Sequence, residues 1–305
     1  MGSLYNFAKQ DVDLLASSFN GNLNFNTKFE YEYVNQENKL KSLNKKHFLI
    51  TPEDYKIQLT KKRLELEFSL SEFNNYRPSP VEINASKNSV DMKFVISDYA
   101  STKIIEGLWT SYYKANRDFV LTNEYENLPF VSKSLGANLL VLTSDGCILT
   151  TKRSSKTRSF PNSYHVSTSE GTSLLDSFGT QIDVANIFVR SAREELGIEI
   201  EKKDIKINSL FLHLNTYQHG LGGFVNLTKY GISSKELTEL KEAAPDGWEH
   251  EELVFTPVED INKLLAQENK FVPFGYMALV LSLENISPEL KQLQDDILFT
   301  HIVKN

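Results

Sequence analysis

Residues 180–198, Thr-Gln-Ile-Asp-Val-Ala-Asn-Ile-Phe-Val-Arg-Ser-Ala-Arg-Glu-Glu-Leu-Gly-Ile, constrain the fold more than any other stretch of the chain. Their spacing predicts a short capped helix. Thr180 is a good N-cap, and Asp183 follows three residues on, as in a capping box. Gly197 comes after the last periodic residue, where helices commonly end in a left-handed residue. Ala185, Val189, Ala192 and Leu196 share one face, which should pack on a core. Asp183, Ile187, Arg190, Ser191 and Glu194 share another, with Glu195 beside it. Arg190 and Glu194 stand four apart, where opposite charges pair. Adjacent carboxylates on a helix are most often solvated surface, so the flanking chain decides what these two mean.

The flanks read as strands. Asn138–Thr143 is a continuous apolar strand, Ser144-Asp145-Gly146 a hairpin turn, and Cys147–Arg153 the returning strand. Phe160–Gly171 follows, ending in Ser167-Thr168-Ser169-Glu170-Gly171. Beyond the helix, Lys206–His213 reads as a strand and Phe224–Thr228 as its partner. Between them lies a loop, Tyr217-Gln218-His219-Gly220-Leu221-Gly222-Gly223, whose glycines suggest a turn. Ser233–Ala243 reads as a polar helix. An acidic stretch, Trp248-Glu249-His250-Glu251-Glu252, leads into a late strand through Phe255. Helices are expected over 260–267 and 273–283, and Ser287-Pro288 opens a last one.

The first half is less regular. Residues 1–45 are polar and rich in Asn. Alternation at Tyr55, Ile57 and Leu59, and at Leu64, Leu66, Phe68 and Leu70, predicts two half-buried strands. Pro78 and Pro80 predict a loop over 74–80. Val90, Met92, Phe94 and Ile96 predict a strand, and Thr102–Asn116 a helix with Trp109 on its apolar side. The polar stretch 123–129 suggests a boundary. The expected domains are therefore 1–130, β-rich, 131–285, and a C-terminal helix over 286–305.

Composition narrows the function. The 305 residues carry a net charge of −7, which argues against a general nucleic-acid partner. An anionic substrate stays open, because metal ions can supply positive charge. The single cysteine, Cys147, fits a reducing compartment. No apolar run approaches the ~20 residues that span a bilayer, and no signal peptide is evident, so a cytoplasmic protein without membrane partners is expected.

The segment Arg190-Ser191-Ala192-Arg193-Glu194-Glu195-Leu196-Gly197-Ile198 resembles the second half of the Nudix box, G-x5-E-x7-R-E-U-x-E-E-x-G-U, with U a bulky apolar residue. Arg190, Glu194, Glu195, Gly197 and Ile198 match. Ser191 stands in place of a glutamate and Ala192 is a small U. The upstream glutamate would fall at Ile182, with Asp183 one residue off and Glu170 as another source of that carboxylate. The order of hairpin, loop, acidic helix, strand pair, Glu-rich loop, strand and helix over 131–285 is also similar to that family. The resemblance implies an α/β fold, a Nudix α/β/α sandwich behind a β-rich N-terminal domain.

It also implies a site. Glu194, Glu195, Glu170 and Glu249 would bind magnesium, with manganese as an alternative, and Glu194, Glu195, Arg190 and Glu249 would act in catalysis. Glu251 is the fallback for Glu249. Arg153, Tyr217 and His219 would contact substrate. The two-domain plan resembles the UDP-sugar-hydrolysing members, which carry a Tyr and a Gly-x-Trp element similar to Tyr99 and Gly107-Leu108-Trp109. The implied activity is hydrolysis of a nucleoside diphosphate linked to another moiety, such as UDP-glucose or ADP-ribose, by metal-activated water. The N-terminal domain would close over the nucleotide or form a homodimer. Ser191 supports an alternative, a non-hydrolysing nucleotide sensor. An isopentenyl-diphosphate isomerase-like reading would need Cys147 in a cleft, whereas Cys147 is expected in a strand.

Overall fold

The computed structural model describes residues 5–7, 11–18, 21–33, 52–68, 74–86, 88–117, 134–157 and 159–301. No helix among them is long and apolar enough to cross a membrane. In chain order, β1 (Tyr5–Phe7) and β2 (Val12–Ser17) precede β3 (Asn24–Tyr33), helix α1 (Pro52–Glu67), β4 (Tyr76–Ala85), β5 (Ser89–Asp98) and helix α2 (Tyr99–Ala115). Then come β6 (Leu135–Leu142), β7 (Cys147–Arg153), β8 (Tyr164–Val166), β9 (Thr168–Gly171), β10 (Ser177–Phe178), β11 (Gln181–Ile182) and helix α3 (Val184–Leu196). The chain continues through β12 (Lys206–His213), β13 (Gln218–Asn226), α4 (Ser234–Lys241), β14 (His250–Pro257) and α5 (Ile261–Leu265). It ends in α6 (Pro273–Leu281), α7 (Leu283–Ile286) and α8 (Lys291–His301).

The layering follows from β6. Its residues are buried on both faces, which requires a covering layer on each side. Ala137, Leu139 and Val141 join the core containing Ile187, Phe188, Ala192 and Leu196 of α3. Leu140 and Leu142 join the other core, with Tyr276–Leu281 of α6. The sheet between those helices runs β1-β2-β12-β13-β6-β7-β14, with β8 against β7 and β9 against β6. The β13–β6 pair is parallel, whereas β6–β7 and β12–β13 are antiparallel. This is a mixed α/β protein with the expected α/β/α sandwich.

Four local expectations are corrected. The segment read as two strands over 55–70 is helix α1 through Glu67, with residues 69–70 outside the described residues. Its buried side chains, Tyr55 and Leu66, belong to a helical face, while Leu64 and Phe68 are exposed. Pro78 and Pro80 lie within β4 rather than a loop. β4 is the edge of the small sheet β3-β5-β4, where a missing N–H is tolerated. The glycines at 220–223 lie in β13. A Cβ at Gly223 would come 2.6 Å from the ring of Phe188, so that glycine makes room for α3 rather than for a turn. Helix α3 begins one turn late: Gln181 and Ile182 pair with β10, and Asp183 is the N-cap, accepting from Asn186 N at 3.2 Å.

The expected boundary at 123–129 lies outside the described residues. β2 pairs with β12 in the large sheet, Leu14 opposite Phe211, so residues 12–17 take part in the core of the sandwich. Trp109 of α2, wholly buried, donates its indole N–H to Leu214 O and packs 4.8 Å from the ring of Tyr217. Cys147 opens β7 opposite Pro257.

Candidate functional site

Helix α3 ends at Gly197, which holds the left-handed conformation its position predicts, φ 70°. The face carrying Arg190 and Glu194 is largely dry: Ile187, Ser191 and Glu195 are buried, because β9 and the start of β14 cover them. What remains polar there is held by hydrogen bonds.

Arg190 is the hub. Its Nε and Nη2 donate to Asp176 Oδ1 and Oδ2 at 3.2 and 3.0 Å. Nη2 also donates to Gly171 O at 2.6 Å, and Nη1 donates to Glu194 Oε2 at 3.1 Å. Glu170 Oε1 lies 3.4 Å from Nη1. Burial works against this charge, but the Asp176 hydrogen bonds and the nearby Glu170 and Glu194 outweigh it and raise the guanidinium above its ordinary value. Asp176 is fixed in turn by a capping box with Ser173 and by Asn186 Nδ2 at 3.0 Å.

Glu195 sits one turn on, almost fully buried. Ser169 N reaches both its oxygens, at 3.1 and 3.2 Å. His250 Nε2 lies 2.9 Å from Oε2, although neither ring nitrogen makes a well-aligned hydrogen bond. Burial, reinforced by Asp246, pushes Glu195 up to about 8, against the pull of Ser169 N–H and Arg153. Burial likewise pushes His250 down to about 4. Both partners thus move toward their uncharged forms. Glu249, in the turn Gly247–Glu249, is pushed up to about 7 by burial and by Glu195. Glu170 is pushed up to about 7 by burial, with Glu195 adding and Arg190 opposing. Arg153 lies in the same field. Its Nε donates to Ser159 O at 3.0 Å, and burial depresses it despite Glu249 and Glu195.

Ser191 is buried with no carboxylate to offer. Its hydroxyl donates to Phe188 O at 3.0 Å and lies 2.8 Å from Thr168 Oγ1. A neutral hydroxyl pair occupies the position where the resemblance implied a ligand. Among the described residues, no three His, Cys, Asp or Glu side chains converge closely enough to hold a metal ion.

Of the residues expected at the site, Glu170, Glu194, Glu195, Glu249, Arg153 and Arg190 are brought together by these contacts and fields. Glu251 points away, pairing with Lys152 at 3.1 Å on the exposed part of β14. Tyr217 and His219 are buried, the ring of Tyr217 5.7 Å from His219 and stacked toward Trp109. Asp176 and His250 were not anticipated. Asp176 had a signal in Ser173-x-x-Asp176, a capping-box spacing. His250 had none beyond its place next to Glu249.

The raised carboxylates set a pH dependence. In the folded protein Glu195, Glu170 and Glu249 hold protons that the unfolded chain has released, so the stability they contribute is complete at low pH and is lost as pH rises through 7 to 8. His250 and His213, both pushed to about 4, have the opposite sign, and their contribution is constant above about pH 6.5. The urea midpoint of the metal-free protein is therefore expected to fall between about pH 6.5 and 8 and to level off above that, and magnesium should blunt the fall. A flat midpoint over that range would show that the carboxylates are not buried together.

No family model matches the chain, and no curated protein matches it. Solved structures similar to it include a protein from Deinococcus radiodurans, 18% identical over 48% of this chain and 80% of that one, with TM-score 0.32. A MutT protein from Methanosarcina mazei is 15% identical over 52% and 96%, with TM-score 0.32. A bifunctional NMN adenylyltransferase/ADP ribose pyrophosphatase from Francisella tularensis is 12% identical over 64% and 63%, with TM-score 0.34. These similarities are partial, and the reading of the site rests on its own geometry.

Proposed function

We propose that this chain is a Nudix-type pyrophosphohydrolase, cleaving the diphosphate of a nucleoside diphosphate linked to another group. The observation that carries this reading is the convergence on the end of α3 of three carboxylates: Glu195, held by Ser169 N–H and 2.9 Å from His250, Glu170, 3.4 Å from Arg190, and Glu249, next to His250 in a turn, its carbonyl accepting from Ser154 N at 2.8 Å. Buried carboxylates that raise one another favour a cation among them. Their hard oxygen donors suit magnesium or manganese. Glu195, Glu249 and Glu170 are the residues that would hold the ion, while Glu194 is paired with Arg190. The ion would supply charge neutralisation at the phosphoryl oxygens and a water acidic enough to attack. The chain's own part is to place the carboxylates through Arg190, Asp176 and Ser169, and to offer Arg153 to the substrate's charge. Nucleotide sugars such as UDP-glucose, and ADP-ribose, are the substrate classes, giving a nucleoside monophosphate and a phosphorylated remainder.

The Ser191–Thr168 pair favours a second reading, a module that binds the nucleotide without hydrolysing it. Turnover of a panel of UDP-glucose, ADP-ribose, NAD, diadenosine polyphosphates and nucleoside triphosphates, with magnesium or manganese, separates the two. The expected result is metal-dependent release of a monophosphate, reduced by about 100-fold or more in a Glu194→Gln, Glu195→Gln variant. Nucleotide binding by calorimetry without turnover would establish the sensor instead. Neither binding nor turnover would remove both readings.

A further inference from the structure

Strand β4 of the small sheet carries a cation that no other part of the site explains. Arg77 is half-buried, and its guanidinium stacks 4.9 Å from the ring centre of Tyr99, the first residue of α2. Its guanidinium makes no hydrogen bond or ion pair with any described residue. Three carboxylates lie within its field, Glu106, Glu170 and Asp98. Each is already engaged elsewhere. Asp98 accepts from Arg63 Nε at 2.8 Å, Asn74 Nδ2 at 3.1 Å and Ser101 N at 2.9 Å. Glu106 pairs with Lys103 and accepts from Gln218 Nε2 at 2.7 Å. Glu170 accepts from Gly171 N at 2.7 Å and faces Arg190.

The placement of Arg77 is also fixed. Thr172 Oγ1 donates to Pro78 O at 2.8 Å, tying β4 to the end of β9. A Cβ on Gly171 would lie 3.9 Å from Arg77 Nη1, so the guanidinium rests against Gly171. The carbonyl of that same glycine accepts from Arg190. Two arginines thus flank Gly171. Arg190 spends its donors on Asp176, Glu194 and the Gly171 carbonyl, whereas the donors of Arg77 are uncommitted.

An arginine presents five N–H donors in a planar fork that suits two oxygens of one phosphate. We propose that Arg77 is a phosphate-binding residue, delivered by the N-terminal part of the chain to the carboxylate site, where its free fork takes a phosphoryl group of the diphosphate substrate. This rests on the diphosphate reading above. It assigns the small sheet a part in substrate recognition and makes the site composite, with the acidic groups from α3, β9 and the turn before β14 and an anion-binding group from β4.

The test compares wild type, Arg77→Ala and Arg77→Lys in KM and kcat on the panel member turned over, and in affinity for inorganic pyrophosphate with magnesium. Arg77→Ala should raise KM and weaken pyrophosphate at least about tenfold, the usual scale for a charge-assisted hydrogen bond. Arg77→Lys should recover part of both. If the alanine variant does not fold, Arg77→Gln, which keeps length without charge, replaces it. An alanine or glutamine variant with wild-type KM and pyrophosphate affinity overturns the assignment and leaves the hydrolase reading standing. A wild type that binds pyrophosphate but hydrolyses nothing, with binding lost in the variant, supports Arg77 and overturns hydrolysis. A wild type that neither binds pyrophosphate nor turns over the panel overturns both.

Discussion

Arg190→Ala should cost the folded protein about 3–5 kcal/mol, the range for stripping one partner from a buried ion pair. The loss would come less from the missing bonds than from what they leave behind. Asp176 is 1% exposed and would keep a carboxylate in the interior without its counter-charge. The Gly171 carbonyl would lose its donor from Arg190, and Glu194 and Glu170 would face each other with no cation between them. Urea denaturation gives the value directly. The informative companion is Asp176→Asn in the Arg190→Ala background. Removing the orphaned charge should return part of the loss, so the two changes together should cost less than their sum. Strict additivity would mean that the pair is not the unit described above.

Trp109→Ala is expected to cost about 3–5 kcal/mol, as large-to-small changes of buried aromatics do. Its ring is wholly buried between Tyr112, at 5.5 Å, and Tyr217, at 4.8 Å. It joins helix α2 to the turn after β12 through the indole bond to Leu214 O. Trp109→Phe keeps an aromatic in the cavity but leaves the carbonyl unpaired. It should cost less than the alanine and more than zero, about 1–3 kcal/mol. Thermal melts of the two variants check the order. A Trp109→Ala protein as stable as wild type would show that this residue does not fasten the two parts of the chain together.

The parts of this fold legible in the sequence are those governed by local chemistry. The hairpin at Asp145-Gly146, the end of α3 at Gly197 and the start of α4 at Ser233 were all visible, because turn and cap preferences act within a few residues. The two-sided burial of β6 was visible as an unbroken apolar run. Helix α1 was hidden. Its sequence has little apolar asymmetry at helical spacing, and chance alternation at Tyr55, Ile57 and Leu59 imitates a strand. β4 was hidden for another reason, since its prolines are allowed only by an edge position that the sequence does not reveal.

At the site, the box pattern led to Arg190, Glu194 and Glu195 because they lie on one helix. Glu249 was reached through the resemblance, in the acidic stretch that leads into the strand through Phe255. Asp176, His250 and Arg77 come from separate elements and meet α3 only through the tertiary fold, so no local spacing could have joined them. Tyr217 and His219 were expected beside substrate as members of a loop between two strands. In the structure the glycines of that stretch accommodate aromatic rings, and the two side chains are packed inside.

The pairing of β2 with β12 has a consequence in time. On the ribosome β2 is made well before the strand it needs. At about 5–20 residues per second, it would wait on the order of ten seconds or more with Val12 and Leu14 uncovered. Until β12 arrives, the sheet cannot close on that side, and the apolar strand is open to other partners. The same pairing bears on any attempt to shorten the protein: a fragment beginning near residue 131 would present the bare edge of β12, and self-association is its expected fate.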